Sequence, residues 1–79
     1  MLEIFKNYLK QEDYYIIIYR NFIYVYKYID ILKFNDKYIS LKLNKLILNI
    51  TGFDMLITKL EKNELLIKGN INKVEKIYE

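Results

Sequence analysis

The sequence is marked first by the residues that it lacks. Its 79 residues include no cysteine, no histidine and no proline, and only two glycines. Without cysteine there is no disulfide, and without cysteine or histidine the usual ligands of structural zinc are missing. The same absences, with a single serine at position 40, remove the usual catalytic triads and thiol nucleophiles. We therefore expect no enzymatic activity, no metal, no cofactor and no small-molecule substrate.

Strong charge of one sign is also missing. Thirteen basic residues face ten acidic ones, for a net charge of +3, which is not the clustered positive surface of a dedicated nucleic-acid binder. No apolar run reaches the roughly 20 residues of a transmembrane helix. Glu3, Lys6 and Lys10 interrupt the first apolar positions, which argues against a cleavable signal. These features predict a cytoplasmic protein.

What is present is a composition typical of β-strands. Hydrophobic residues make up 53% of the chain, with many isoleucines, nine tyrosines and four phenylalanines, and β-branched and aromatic residues favour strands. A chain of this length forms one domain and buries only roughly 60% of its unfolded surface. We therefore expect a homo-oligomer or a bound partner to add stability.

The chain divides into two parts. Residues 1–12 are predicted to form a short helix, because Leu2, Phe5 and Leu9 share one face at helical spacing. Whether this segment docks on its own domain, on a partner or on lipid is left open by the sequence. Residues 13–79 are predicted to form the β-rich domain.

The most apolar region is predicted to be a hairpin. Two strand-forming runs, residues 14–19 and 22–28, flank the polar pair Arg20 and Asn21. Both faces of this hairpin are largely apolar, and an exposed strand of this kind is an edge to which another strand can pair. The candidate partner or self-association surface comprises Tyr14, Ile16, Ile18, Tyr24 and Tyr26.

Six further short strands are predicted, at residues 29–34, 38–43, 46–51, 55–60, 65–68 and 70–77. Ser40 is expected to point outward from its strand, and a bulge is expected between Ile71 and Val74, where the alternation breaks. Gly52 and Gly69 end two of these strands and are predicted to be structural turn or bulge positions. The fold class is all-β and mainly antiparallel, as a small sandwich or roll.

A short repeat leaves one alternative open. The pattern Leu-x-Ile-x-Gly occurs at Leu48 and again at Leu65. It can mark two equivalent positions in an antiparallel fold, or one turn of a short β-solenoid. A second function also stays open, because Tyr24, Tyr26 and Lys27 could form a stacking platform for single-stranded nucleic acid.

The order of these motifs resembles the YabP/YqfC family of small sporulation proteins of endospore-forming Firmicutes. The resemblance is best over Leu48-Asn49-Ile50-Thr51-Gly52 and over Leu65-Leu66-Ile67-Lys68-Gly69-Asn70-Ile71, which an acidic turn separates. The chain departs from the family at Asn44-Lys45, where a glycine turn is usual.

The resemblance implies a non-enzymatic structural or scaffold protein of sporulation. It implies production in the mother cell, a peripheral position at the membrane around the developing spore, and a sporulation membrane protein as partner. It brings no catalytic residues, and it carries over Gly52 and Gly69 as structural positions only.

Overall fold

Six antiparallel strands form one sheet in the computed structural model, which describes residues 14–79. The predicted helix at residues 1–12 lies outside the described residues. The strands are β1 (Tyr15–Ile18), β2 (Phe22–Tyr26), β3 (Asp30–Phe34), β4 (Tyr38–Leu43), β5 (Leu46–Leu60) and β6 (Glu64–Tyr78), in the order β1-β2-β6-β5-β4-β3. The all-β, antiparallel prediction is confirmed. The β-solenoid alternative is wrong, because a β-solenoid stacks its strands in parallel.

Two long strands replace four of the predicted short ones. β5 and β6 each run for 15 residues, and a straight strand of that length spans about 50 Å. The longest dimension of the molecule is 33 Å, so both strands bend. The register shifts on either side of the segment from Gly52 to Phe53, and Asp54 takes a positive φ of 54°. The segment from Gly52 to Asp54 bends β5 without reversing the chain, so the prediction of separate strands at residues 46–51 and 55–60 was wrong.

The bend divides the sheet into two layers. The first layer comprises β3, β4, residues 46–51 of β5 and residues 70–78 of β6. The second comprises β1, β2, residues 56–60 of β5 and residues 64–68 of β6. One hydrophobic cluster takes side chains from both layers, so a single core holds them together. Its fully buried members are Ile23, Val25, Ile39, Leu41, Leu43, Leu46, Leu48, Ile50, Leu65 and Ile67.

The two layers follow the same plan. In each, a short hairpin lies beside the stretch of long strand that ends in the Leu-x-Ile-x-Gly pattern, and the turn of that hairpin accepts hydrogen bonds from the bend. Ile50 and Ile67, the isoleucines of the two copies, are both fully buried. The bonds, donor first, are Gly52 to Lys37 (3.1 Å), Met55 to Asp36 (2.9 Å), Gly69 to Asn21 (3.1 Å) and Ile71 to Arg20 (3.0 Å).

Close approach of the two long strands requires glycine at the bend. A Cβ atom on Gly52 would lie 2.0 Å from the backbone oxygen of Asn70. One on Gly69 would lie 2.7 Å from the backbone oxygen of Asp54, and Gly69 has a φ of 147°, which side chains rarely adopt. The repeat in the sequence therefore marks the bend where the two strands lie too close together for a side chain.

Several local predictions are confirmed. Arg20 and Asn21 form the turn of the first hairpin, and Lys45 closes the turn before β5 with a φ of 59°. The expected irregularity between Ile71 and Val74 falls at Asn72, which has no register partner on β5. Within residues 14–79 no helix has the length and hydrophobicity needed to cross a membrane.

Candidate interaction surface

The second layer carries an aromatic surface on the side away from the core. Residues that pair across antiparallel strands project to the same side of a sheet. The pairing of β1, β2 and β6 therefore places six aromatic or aliphatic side chains on this side, with Glu64 and Lys68 beside them. We call this set the aromatic face; it comprises Tyr15, Ile17, Phe22, Tyr24, Tyr26 and Leu66.

Tyr24 anchors the aromatic face. Its side chain is only 6% exposed, and its ring lies 6.0 Å from that of Tyr15, which stacks on Tyr26 at 5.1 Å. Its hydroxyl donates a hydrogen bond to Oε1 of Glu64. Burial raises the pKa of Tyr24 well above its ordinary value, and the bond to the Glu64 carboxylate and the charge of that group raise it further. Tyr24 is therefore a fixed, neutral part of the fold.

The outer face of the first layer has more polar contacts, although Tyr38, Ile47 and Ile77 also lie on it. The hydroxyl of Ser40 donates to Oδ1 of Asn49 at 2.7 Å, and the ammonium of Lys42 lies 2.9 Å from Glu79. Ser40 points away from the core, as predicted, yet it is only 5% exposed because its neighbours on β4 and β5 cover it. Polar side chains pair with one another on this face, whereas tyrosine rings stack on the aromatic face.

Four strand edges are open among the described strands, and three of them are protected against pairing. The edge of β3 carries Asp30, Lys33 and a register shift. The edge formed by residues 56–60 carries Lys59 and a register shift, and the edge formed by residues 70–78 carries several charges and the irregularity at Asn72. Charges and bulges are the usual devices that prevent strands from pairing at an edge.

The edge of β1 has neither device. Residues 14–19 contain no charge, and the pairing of β1 with β2 has no register shift. Ile18 is 46% exposed and Tyr19 is 59% exposed. We call residues 15–18 the β1 edge; it is the one regular, uncharged edge among the described strands.

The predicted surface residues lie on two sides of the second layer. Tyr14, Ile16 and Ile18 project toward the core side, where Tyr14 and Ile16 pack against the cluster and Ile18 stays exposed. Tyr24 and Tyr26 belong to the aromatic face, so the five residues do not form one continuous patch. What they share is closeness to the β1 edge, since Tyr24 and Tyr26 lie on β2, which pairs with β1. The sequence analysis did not name Tyr15 and Ile17, which belong to both the aromatic face and the β1 edge. The uncharged run from residue 14 to residue 19 was a signal for them.

The described residues bring few reactive groups together. At the turn between β5 and β6, Nζ of Lys59 lies 3.7 Å from a carboxylate oxygen of Glu61 and 3.7 Å from one of Glu64. Two grooves, at Phe22 and at Ile18, are not lined by a carboxylate. Within residues 14–79 no group of acidic side chains could hold a metal ion.

The comparison with family models decides the family. The model of the YabP family matches residues 10–77, which is nearly the whole chain and includes both layers. The chain belongs to the YabP family. Membership in the YabP family makes this a sporulation-related protein, and it confirms the resemblance found in the motifs. No curated protein and no solved structure matches the chain.

Proposed function

We propose that this YabP family chain is a non-enzymatic structural module of sporulation that binds a partner through the β1 edge. The observation that carries the proposal is the unprotected state of this edge beside the aromatic face, in a molecule whose other described edges are protected. Three of the four described edges carry charges and irregularities that oppose pairing, and the β1 edge carries neither, which is expected if that edge is used.

Strand addition is the binding mode that this edge supports. A partner strand that pairs with β1 gains main-chain hydrogen bonds, and its side chains alternate between the two sides of the sheet. On the core side it would meet Ile16 and Ile18, and on the outer side Tyr15 and Ile17. Such a strand would cover the isoleucine that β1 leaves most exposed. Binding of this kind requires no catalytic group.

The proposed location is the membrane around the developing spore, on the mother-cell side, with the protein peripheral and held by a membrane-protein partner. Family membership supports the link to sporulation. The net charge of +3 with mixed signs is too weak to hold the chain on anionic lipid without a protein partner. The proposal therefore assigns the membrane position to the partner.

Single-stranded nucleic acid, the alternative drawn from the sequence, gains no support from the geometry. Tyr24 is buried and bonded to Glu64, whose carboxylate would repel a phosphate backbone. Tyr26 is stacked against Tyr15, so its ring is already engaged on one side. A labelled oligonucleotide mixed with the protein at low salt is expected to remain unbound.

Spore counts in the host test the proposed function. Deletion of the gene is expected to lower the yield of heat-resistant spores, and Ile18→Lys is expected to lower it as well, because a lysine on the β1 edge opposes strand addition. Leu32→Lys is the matched control, since Leu32 lies on the β3 edge and is 45% exposed against 46% for Ile18. Normal spore yield after deletion would remove the role in sporulation, and equal yields for the two variants would remove the role of the β1 edge.

A further inference from the structure

We infer that the strand received by the β1 edge is β1 of a second copy of this chain, so that two molecules pair through their second layers. The inference rests on the proposed binding role of the β1 edge and names its occupant. It follows from which backbone groups are free on β1, from the sides on which its residues project, and from the protection of the other edges.

The free backbone groups on β1 belong to Ile16 and Ile18. The N–H of Tyr19 donates to the carbonyl of Phe22 at 2.8 Å, so the backbone of Tyr19 is directed toward β2. Direction alternates along a strand, so Ile17 and Tyr15 also bond to β2. Ile16 and Ile18 then direct their N–H and C=O groups to the open edge, where no described strand meets them.

Symmetry restricts the register of the pairing, and we infer an axis at Ile17. In an antiparallel pair related by a twofold axis, facing residues must project to the same side of the sheet, so the axis must pass at a residue. An axis at Ile17 places Ile17 opposite its own copy and Ile16 opposite Ile18 of the copy. The two symmetry-related Ile16–Ile18 pairs use all the free backbone groups of both residues. Each pair gives two hydrogen bonds, so the contact has four.

A second copy suits this edge chemically. Because residues 14–19 carry no charge, two β1 edges meet without repulsion. Isoleucine faces isoleucine on the core side, where Ile18 is now exposed, and the two aromatic faces join into one surface. A twofold contact uses the same edge on both molecules and is therefore closed. The protected edges elsewhere prevent further growth, so a dimer is expected and a fibre is not.

The contact is also small, which sets its strength. β1 is four residues long, and an edge of this length buries less than the roughly 800 Å² per partner of a standard interface. We therefore expect a reversible dimer whose population rises with concentration.

Sedimentation of the full chain over a wide range of concentrations tests the inference. The wild type is expected to shift from monomer to dimer as concentration rises. Ile18→Lys is expected to stay monomeric at concentrations where the matched control Leu32→Lys still dimerises, because only Ile18 lies on the β1 edge. A dimer that Ile18→Lys leaves intact would overturn the inference, because the contact would then lie elsewhere.

Hydrogen exchange of the wild type gives a second readout that needs no variant. The amides of Ile16 and Ile18 are expected to become protected as concentration rises, while amides of the β3 edge do not change. A monomer at every concentration, with freely exchanging amides at Ile16 and Ile18, would overturn the inference. If Ile18→Lys still lowered spore yield in that case, the proposed function would stand and the occupant would be another protein. Normal spore yield for Ile18→Lys would instead remove the proposed function.

Discussion

The two layers of this molecule share a plan and differ in what they show to the outside. Each combines a short hairpin with parts of the same two long strands, and each contributes isoleucines and leucines to one core. Yet the outer face of the first layer contains polar pairs such as Ser40 with Asn49, whereas stacked tyrosines are the main feature of the second. Core positions constrain both layers alike, since both must bury the same kind of surface.

The outermost strands of the two layers differ as well, as their outer faces do. β1 and β3 are the outermost strands of the two layers, and they occupy equivalent places. β3 carries two charges and a register shift, and β1 carries neither. Because the fold does not require this difference, we attribute it to binding. Under the proposed function, the second layer is the binding side of the protein, and four experiments test the parts of the comparison.

The largest effect is expected at the bend of β5 and β6, where the two layers meet. Gly52→Ala should lower the free energy of unfolding by more than about 4 kcal/mol, because its Cβ would overlap the backbone oxygen of Asn70. That loss is comparable to the whole stability of a domain of this size, about 4–12 kcal/mol. Gly69→Ala should also be severe, because it adds backbone strain to a contact with Asp54.

Circular dichroism during urea titration measures these changes. Thr51→Ala is the matched control, because Thr51 adjoins Gly52 and its side chain lies on the outer side of β5, opposite Tyr38. The control should change stability little. A folded Gly52→Ala variant with wild-type stability would show that the backbone of Asn70 does not approach Gly52 this closely.

The next effect compares the two copies of the repeated motif. Ile50→Ala in the first layer and Ile67→Ala in the second should each cost about 2–5 kcal/mol, because both side chains are fully buried in one cluster. The two losses should be similar, and each variant should unfold in a single transition. Separate transitions for the two layers, followed by layer-specific probes, would show that the core is divided.

The smallest effect compares the polar contacts of the two outer faces. Tyr24→Phe should lower the free energy of unfolding by about 1.5–3 kcal/mol, because it removes a hydrogen bond to a carboxylate. Ser40→Ala should lower it by about 1 kcal/mol, because the bond to Asn49 joins neutral groups. Equal losses would mean that the carboxylate adds nothing to the bond of Tyr24.

The same pair of variants gives a dependence on pH. The pKa of Tyr24 is raised in the folded protein by burial and by Glu64. Above pH 10 the unfolded chain therefore releases the proton of this tyrosine while the folded protein keeps it, and the free energy of unfolding falls by up to about 1.4 kcal/mol per pH unit. Tyr24→Phe should make that fall less steep, whereas Ser40→Ala, which removes no titratable group, should keep the wild-type slope. An unchanged slope in Tyr24→Phe would contradict the raised pKa.

Most of the strands were predictable because alternation is a local property. Ile39, Leu41 and Leu43 alternate with polar residues, and the structure buries all three. The first hairpin was predictable for a similar reason, since two polar residues separate two apolar runs. The continuity of β5 was not predictable, because Gly52, Phe53 and Asp54 are compatible with a turn as well as with a bend. The neighbouring turn at Asp36 and Lys37 provides the hydrogen bonds that select the bend.

The surface was predictable only in part. The sequence showed that the hairpin is apolar on both sides, and it named Ile16, Ile18 and Tyr24, but strand order is needed to know that β1 lies at an edge and that Tyr24 lies inside.

Local residue patterns were thus enough to establish an all-β chain with glycines at two equivalent points, because strand formation depends on neighbouring side chains. Which edges remain open, and which tyrosine bonds to Glu64 forty residues away, were set by the packing of the whole chain. Those features depend on contacts between segments that are distant in sequence. The alternation of residues along one strand does not indicate which strands will pair with it.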